Sequence, residues 1–198
     1  MNRPEPFVSQ PLVLASASPR RLELLSLLGI PFEVIPSRAE ENDVSGSGRE
    51  RVQVLARRKG EEVAARLPGR AILSADTLVC VENEVLGKPA DEEDAARMIR
   101  LLSGKSHWVY TGVCLLLPDG SVREEVCGTE VCFAELEEEE ILRYAASGEP
   151  LDKAGAYAVQ GRAGAFVRSI HGSPTNVIGL PLETVARMLR EAGWRLLG

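Results

Sequence analysis

"PLVLASASPRRLELLSLLG", residues 11–29, is the stretch from which the fold is read. It begins as a short apolar strand, turns at a serine-rich corner and continues as a helix. Ser18-Pro19 reads as the helix start, with serine as the cap and proline at the first helical position. Leu22, Leu25 and Leu28 fall on one face, and Gly29 is the stop. Arg20 and Arg21 then occupy the first turn, where the helix dipole is positive. Each wrong charge there costs about 0.3–1 kcal/mol. Two readings stand. The arginines reach back to nearby carboxylates, or the turn is an anion site. In the second case free N–H groups point outward, and the arginines become favourable once a phosphate binds. No GxxxxGKS/T phosphate loop occurs in the chain.

The 198 residues suit one domain, spanning 1–198, with room for a deep cleft. A chain of this length buries roughly 70% of its unfolded surface, so it needs no staples. Net charge is −6, which argues against a protein built to bind a nucleic-acid backbone, though a local basic pocket remains compatible with it. Cys80, Cys114, Cys127 and Cys132 form no CxxC pair and show no zinc spacing with histidine. They are expected to be reduced and packed, as in a cytosolic protein. "MNRPEPFVSQ" lacks the apolar core of a signal peptide, and no apolar run reaches the ~18 residues of a membrane span.

Further strands are expected at 30–37, on both sides of a turn at Glu82-Asn83-Glu84, and at 165–172. A strand meander covers 107–136, with an Asp119-Gly120 turn. Helices are expected from about 50 to 66, 90–104, 137–148 and 182–193. Glu137–Glu140 reads as a solvated, dipole-favoured helix start. Residues 38–50, 151–164 and 173–181 read as loops. Helices mixed with adjacent and crossing strands give an α/β fold on a mixed sheet.

Asp76 stands out because it is a carboxylate inside the apolar strand "AILSADTLVCV". A buried charge needs donors, a cation or a metal. It is either a structural aspartate bonded to backbone N–H groups, or a metal ligand or general base. Lys59 falls on the apolar stripe marked by Val52, Leu55, Ala56 and Val63. It either snorkels at the core edge or points into a phosphate cleft. Lys88, fixed between Gly87 and Pro89, raises the same choice, since Gly-x-Pro also simply makes turns. Glu41 is a candidate second carboxylate for a metal beside Asp76. His107 and His171 have no Ser or Cys partner in a triad pattern and read as structural.

Taken together, these segments resemble the Maf family of nucleoside triphosphate pyrophosphatases, over about residues 12 to 190. "LASASPRRLELL" is similar to its N-terminal signature, and "SADTLV" with "GKP" to its catalytic strand and hairpin. "LSGKSHWVYTGV", "GEPLDKAGAYAVQG" and "NVIGLPL" match further blocks in the same order. The resemblance implies an elongated mixed β-sheet flanked by helices, with two lobes around a deep cleft, similar to inosine triphosphatases. It implies hydrolysis at the α-phosphate to a monophosphate and pyrophosphate. It also implies a divalent cation (Mg²⁺ or Mn²⁺), a cytoplasmic location and a homodimer.

By that resemblance Asp76 is the proton acceptor, and Arg20, Thr77 and Gln160 set base specificity. Ser16, Ser18, Arg21, Lys59 and Lys88 are expected to hold phosphate, Glu41 and Asp76 the metal, and Asp152 and Lys153 to support the site. Arg20, Thr77 and Gln160 fit the dTTP/UTP subgroup, and Gln160 offers the donor and acceptor that suit a pyrimidine edge. Ala158-Val159 stand where Gly-Ile is usual, and Ser173-Pro174 where Ser-Tyr is usual. The alternatives are a 7-methyl-GTP pyrophosphatase and a non-catalytic nucleotide binder in cell-division control.

Overall fold

A computed structural model describes residues 10–41 and 43–197. The N-terminal stretch that lacks a signal-peptide core lies almost wholly outside the described residues. Seven strands form one mixed sheet: β1 (Leu12–Leu14), β2 (Phe32–Val34), β3 (Ile72–Val81), β4 (Glu84–Leu86), β5 (Ser106–Leu116), β6 (Val122–Phe133) and β7 (Val167–His171). Their order is β2-β1-β3-β5-β6-β7, with β4 pairing β3 as a hairpin. The first three are parallel, and the remainder antiparallel to their neighbours.

Among the described residues the α-helices are α1 (Pro19–Ser26), α2 (Gly48–Arg66), α3 (Glu92–Leu102), α4 (Glu138–Ala145), α5 (Pro174–Ile178) and α6 (Leu182–Glu191). Local chemistry explains their ends. Ser47 caps α2 and forms a reciprocal capping box with Glu50. Asp91 caps α3 by accepting from the Asp94 N–H, and three acids follow in the first turn. α2 lies so close to β5 that a Cβ on Gly112 would meet the Val52 carbonyl oxygen at 2.2 Å. Only glycine fits there.

The hydrophobic interior is divided. One cluster joins β1, α1 and α6 through residues such as Leu12, Leu25, Leu115 and Leu189. A second joins α3, α4 and the far halves of β3, β5 and β6 through Val79, Ile99, Leu102 and Phe133. Each fully buried leucine contributes roughly 1.5–3 kcal/mol. On β3 the first cluster ends at Ala75 and the second begins at Val79, with Thr77 between them. The β3 edge is also open there: β1 pairs it only to Leu73, and β4 pairs it only from Val79 onward. Two lobes therefore part around Asp76 and Thr77.

Several boundaries differ from expectation. Leu22 is 40% exposed, and the buried leucines of α1 are Leu24 and Leu25, with Leu28 buried just past its end. The first turn of α1 overhangs the space between the lobes and has no core beneath it. Residues 173–181 are not all loop, because Ser173 caps α5 by accepting from the Asn176 N–H and Pro174 starts it. Residues 151–164 include short 3-10 turns at Ala154–Ala156 and from Arg162. Gly155 adopts φ +69° in one of them, pressed against Val79.

Candidate active site

The gap between the lobes is a cleft of about 520 Å³. All twelve residues singled out from the sequence line it: Ser16, Ser18, Arg20, Arg21, Glu41, Lys59, Asp76, Thr77, Lys88, Asp152, Lys153 and Gln160. They come from five separate segments, which the fold brings together. Six basic side chains there face three carboxylates, so the cleft is positive in a chain of net charge −6. That contrast favours a small polyanion.

Asp76 and Thr77 are neighbours on β3, and the pleat sends them to opposite faces of the sheet. Asp76 turns to α2. Its Oδ1 accepts from the Lys59 ammonium at 2.5 Å, and Asp76 is only 6% exposed. The same ammonium lies 3.0 Å from Glu41, so Lys59 bridges the two carboxylates. Of the readings open for Asp76, bonding to backbone N–H groups gives way to a cation partner. Lys59 does not snorkel away from the core but points into the cleft.

Thr77 turns to α1 and α5. It accepts from the Arg21 guanidinium at 3.1 Å and shares a hydrogen bond with Thr111 at 2.9 Å. Arg21 also donates to the Gly179 carbonyl at 2.8 Å and to Ser16 Oγ at 3.4 Å. Burial, against the pull of Asp76, holds the Arg21 guanidinium below its ordinary range, and Arg20 adds to the lowering. A desolvated cation in this position gains from an incoming anion. Arg20 reaches across the cleft mouth to Asp152 at 3.1 Å. Burial opposes ionisation of Asp152, but Lys153 and Arg20 together hold it below the usual carboxylate range. The capping role expected of Ser18 is absent. Its side chain makes no cap bond, and its N–H donates instead to Ser16 Oγ at 3.2 Å.

Lys88 is exposed at the cleft rim, on a hairpin whose Gly87 carbonyl accepts from the Gly155 N–H at 2.9 Å. That bond ties the hairpin to the segment carrying Gln160. Glu41 and Asp76 supply oxygen donors side by side, and among the described residues no group of three His, Cys, Asp or Glu side chains gathers to hold a metal. One or two carboxylates completed by substrate phosphates is the donor set that Mg²⁺ favours, so these residues fit such a cation.

Residues 11–192 match the family described as Maf-like protein. The chain belongs to the Maf family. Among its Maf relatives, the dTTP/UTP pyrophosphatase of Pelotomaculum thermopropionicum is 48% identical over 94% of this chain and 98% of its own length. That of Anaeromyxobacter dehalogenans is 50% identical over 93% and 95%. The archaeal dTTP/UTP pyrophosphatase of Thermococcus gammatolerans is 49% identical over 94% and 98%. In fold, the chain is similar to the Ham1 protein of Staphylococcus aureus, with a TM-score of 0.56 at 14% identity over 92% of this chain and 99% of that one. A HAM1 protein from Coxiella burnetii gives 0.51 at 18% identity over 91% and 98%. The expected Maf architecture, a mixed sheet with two lobes around a cleft, is the one observed.

Several polar residues behind or beside the cleft escaped the sequence reading. Thr111 donates to the Asn176 carbonyl at 3.2 Å, and the Asn176 amide donates to Val109 O and Thr129 Oγ1. This buried polar chain stands behind Thr77, between the two apolar clusters. Its signal was a threonine in an otherwise apolar strand, opposite another threonine. Tyr157 lines the cleft and its hydroxyl meets His107 Nε2 at 2.8 Å, which gives His107 the structural place expected of it.

Proposed function

We propose that this protein hydrolyses dTTP, UTP and modified pyrimidine nucleoside triphosphates to the monophosphate and pyrophosphate, in the cleft between its lobes. The observation that carries this reading is the Asp76–Lys59 pair at 2.5 Å inside a positive cleft, one residue along β3 from Thr77. The names of relatives that are half identical in sequence supply the nucleotide class.

Asp76 keeps one oxygen on Lys59, and no donor among the described residues bonds the other. That second oxygen orients a water and accepts its proton as the water oxygen attacks the α-phosphorus. The bond from the α-phosphorus to the bridging oxygen breaks, and pyrophosphate leaves with the electron pair. Lys59, Lys88 and Arg21 stabilise the negative charge that moves outward. Ser16, Ser18 and the N–H groups at the start of α1 hold phosphate oxygens. Glu41 and Asp76 would hold the divalent cation, which would lower the charge on the phosphate oxygens. Arg20, Thr77 and Gln160 read the base, with Asp152 and Lys153 fixing Arg20 at the rim. A pure binder of a polyanion gains nothing from a buried carboxylate beside its phosphates, which disfavours the non-catalytic alternative.

We read the protein as a cytoplasmic homodimer on its family resemblance; its four cysteines are unpaired, as that location favours. Sedimentation gives the mass of two chains if this is right and of one chain if it is not. The activity is tested by incubating the purified protein with Mg²⁺ or Mn²⁺ and dTTP, UTP, CTP, GTP or 7-methyl-GTP, resolving products by ion exchange. Monophosphate plus pyrophosphate from dTTP or UTP is expected. Turnover of 7-methyl-GTP alone would overturn the roles given to Arg20, Thr77 and Gln160, and no turnover at all would overturn the reading itself.

A further inference from the structure

The arginines of α2 fall into two kinds. Arg57 pairs with Glu61 and Glu124, Arg58 with Asp43, and Arg66 with Glu62. Arg49 and Arg51 pair with no carboxylate among the described residues, and of these two the one that lines the cleft is Arg51. Its Nε is buried without any hydrogen-bond partner, and the side chain lines the cleft. A buried guanidinium N–H left unpaired costs roughly 1–3 kcal/mol or more, so this arrangement is stable mainly as a place for an anion.

Its position says which anion. Arg51, Leu55 and Lys59 are spaced i, i+4, i+8, and all three line the cleft from one face of α2. Lys59 sits on Asp76, where the α-phosphate reacts. From there α2 offers two directions. Toward its C-terminus the way is closed by Val63, fully buried against Val13 and Ile72. Toward its N-terminus the cleft continues to Arg51, about 12 Å away along the axis. That is within reach of a triphosphate tail met by a long arginine side chain, and Lys88 also lines the cleft. Arg51 also lies in the first turn of its helix, where Glu50 is occupied by the cap with Ser47. An arginine there opposes the dipole until a negative group neutralises both.

We propose that Arg51 binds the β- and γ-phosphates, the half of the substrate that leaves as pyrophosphate, and so separates triphosphates from shorter nucleotides. This rests on the reading of the cleft as a triphosphate hydrolase. Arg51 is then a substrate-binding residue that grips the leaving group from the helix facing the base-reading side.

The test is calorimetric titration of the full chain, with Mg²⁺ present, by inorganic pyrophosphate and separately by dTMP, using the wild type, Arg51→Ala and Arg51→Lys. Pyrophosphate affinity should fall on the order of tenfold in Arg51→Ala and less in Arg51→Lys, with dTMP affinity unchanged. The kcat/KM for dTTP should fall by at least a similar factor in Arg51→Ala, with part of the loss recovered in Arg51→Lys, because the contact lies on the group that gains charge as the bond breaks. Equal pyrophosphate affinity in Arg51→Ala and wild type would overturn the proposal. So would parallel loss of pyrophosphate and dTMP, which would mark a disturbed cleft, or loss of dTMP alone, which would put Arg51 on the nucleoside. Pyrophosphate binding needs no turnover, so the result on Arg51 stands apart from any failure of the hydrolase reading.

Discussion

The helices that open onto the cleft and those that pack the outer lobe begin in opposite ways. α3 starts with Glu92, Glu93 and Asp94 after a capping aspartate, and α4 with Glu138, Glu139 and Glu140. Both put negative charge on the positive end of the dipole, as folding stability favours. α1 has no acid in its first turn and carries Arg20 and Arg21 there instead. α2 has one acid, Glu50, flanked by Arg49 and Arg51. The outer helices are finished by their own sequence, whereas the cleft helices are finished by what binds. The opposed charges at α1 are the cost of a site that is ready for a polyanion before one arrives.

The largest effect that sharpens this contrast is expected at Asp76. Asp76→Asn should lower kcat for dTTP by about 10³-fold while leaving dTTP affinity close to wild type, because the cations remain. A turnover number within tenfold of wild type would remove Asp76 from the chemistry. Next comes a matched pair of arginines. Arg21→Gln should cost on the order of 10²-fold in kcat/KM, since it loosens Thr77 and Gly179 together. Arg100→Gln, which frees Glu138 between α3 and α4, should leave kcat/KM unchanged. Equal losses in the two variants would erase the distinction between cleft and outer helices.

Acid should find the outer lobe first. Burial lowers the His107 imidazole from 6.5 to about 4, and its Nδ1 has no partner. The unfolded chain therefore binds a proton that the folded chain refuses across that window, and stability is lost as pH falls through it. Urea unfolding at pH 5 should give about 2 kcal/mol less stability from this group than at pH 7. His107→Phe should shrink that difference; a pH dependence as steep as wild type would exonerate His107. The smallest effects are at the helix starts themselves. Asp91→Ala should destabilise by about 1 kcal/mol with activity intact. Arg20→Gln should stabilise the ligand-free protein by about 0.5 kcal/mol in thermal unfolding and weaken dTTP binding. A drop in ligand-free stability would show that the Arg20–Asp152 pair outweighs the dipole.

Much of this was legible in the chain because each feature had a local cause. An apolar strand, a Ser-Pro corner and two misplaced arginines announce β1, α1 and an anion site. A carboxylate inside an apolar strand announces Asp76. What was missed depends on partners distant in sequence. Leu22 fits the helical stripe but is exposed, because the core packs against Leu24 and Leu25 instead. Thr111 and Asn176 acquire meaning only when the β3–β5 register sets Thr111 opposite Thr77. Arg51 looks like any other arginine of α2 until the fold shows which of them lines the cleft. Ser173-Pro174 carried the same helix-start signal as Ser18-Pro19. It was read as loop because only five helical residues follow.

The placement of Asp76 and Thr77 on opposite faces of one strand has a consequence for how such an enzyme diversifies. Their alternation insulates the proposed water-activating group from the proposed base-reading group, although the two residues are covalent neighbours. Substitutions behind Thr77, on α5 and β5, change what is recognised without touching Asp76, Lys59 or Glu41, whereas α1 carries Arg21, which feels the charges of Asp76 and Glu41. A lineage can therefore exchange its substrate by drift on one side of the sheet and inherit its reaction unchanged on the other.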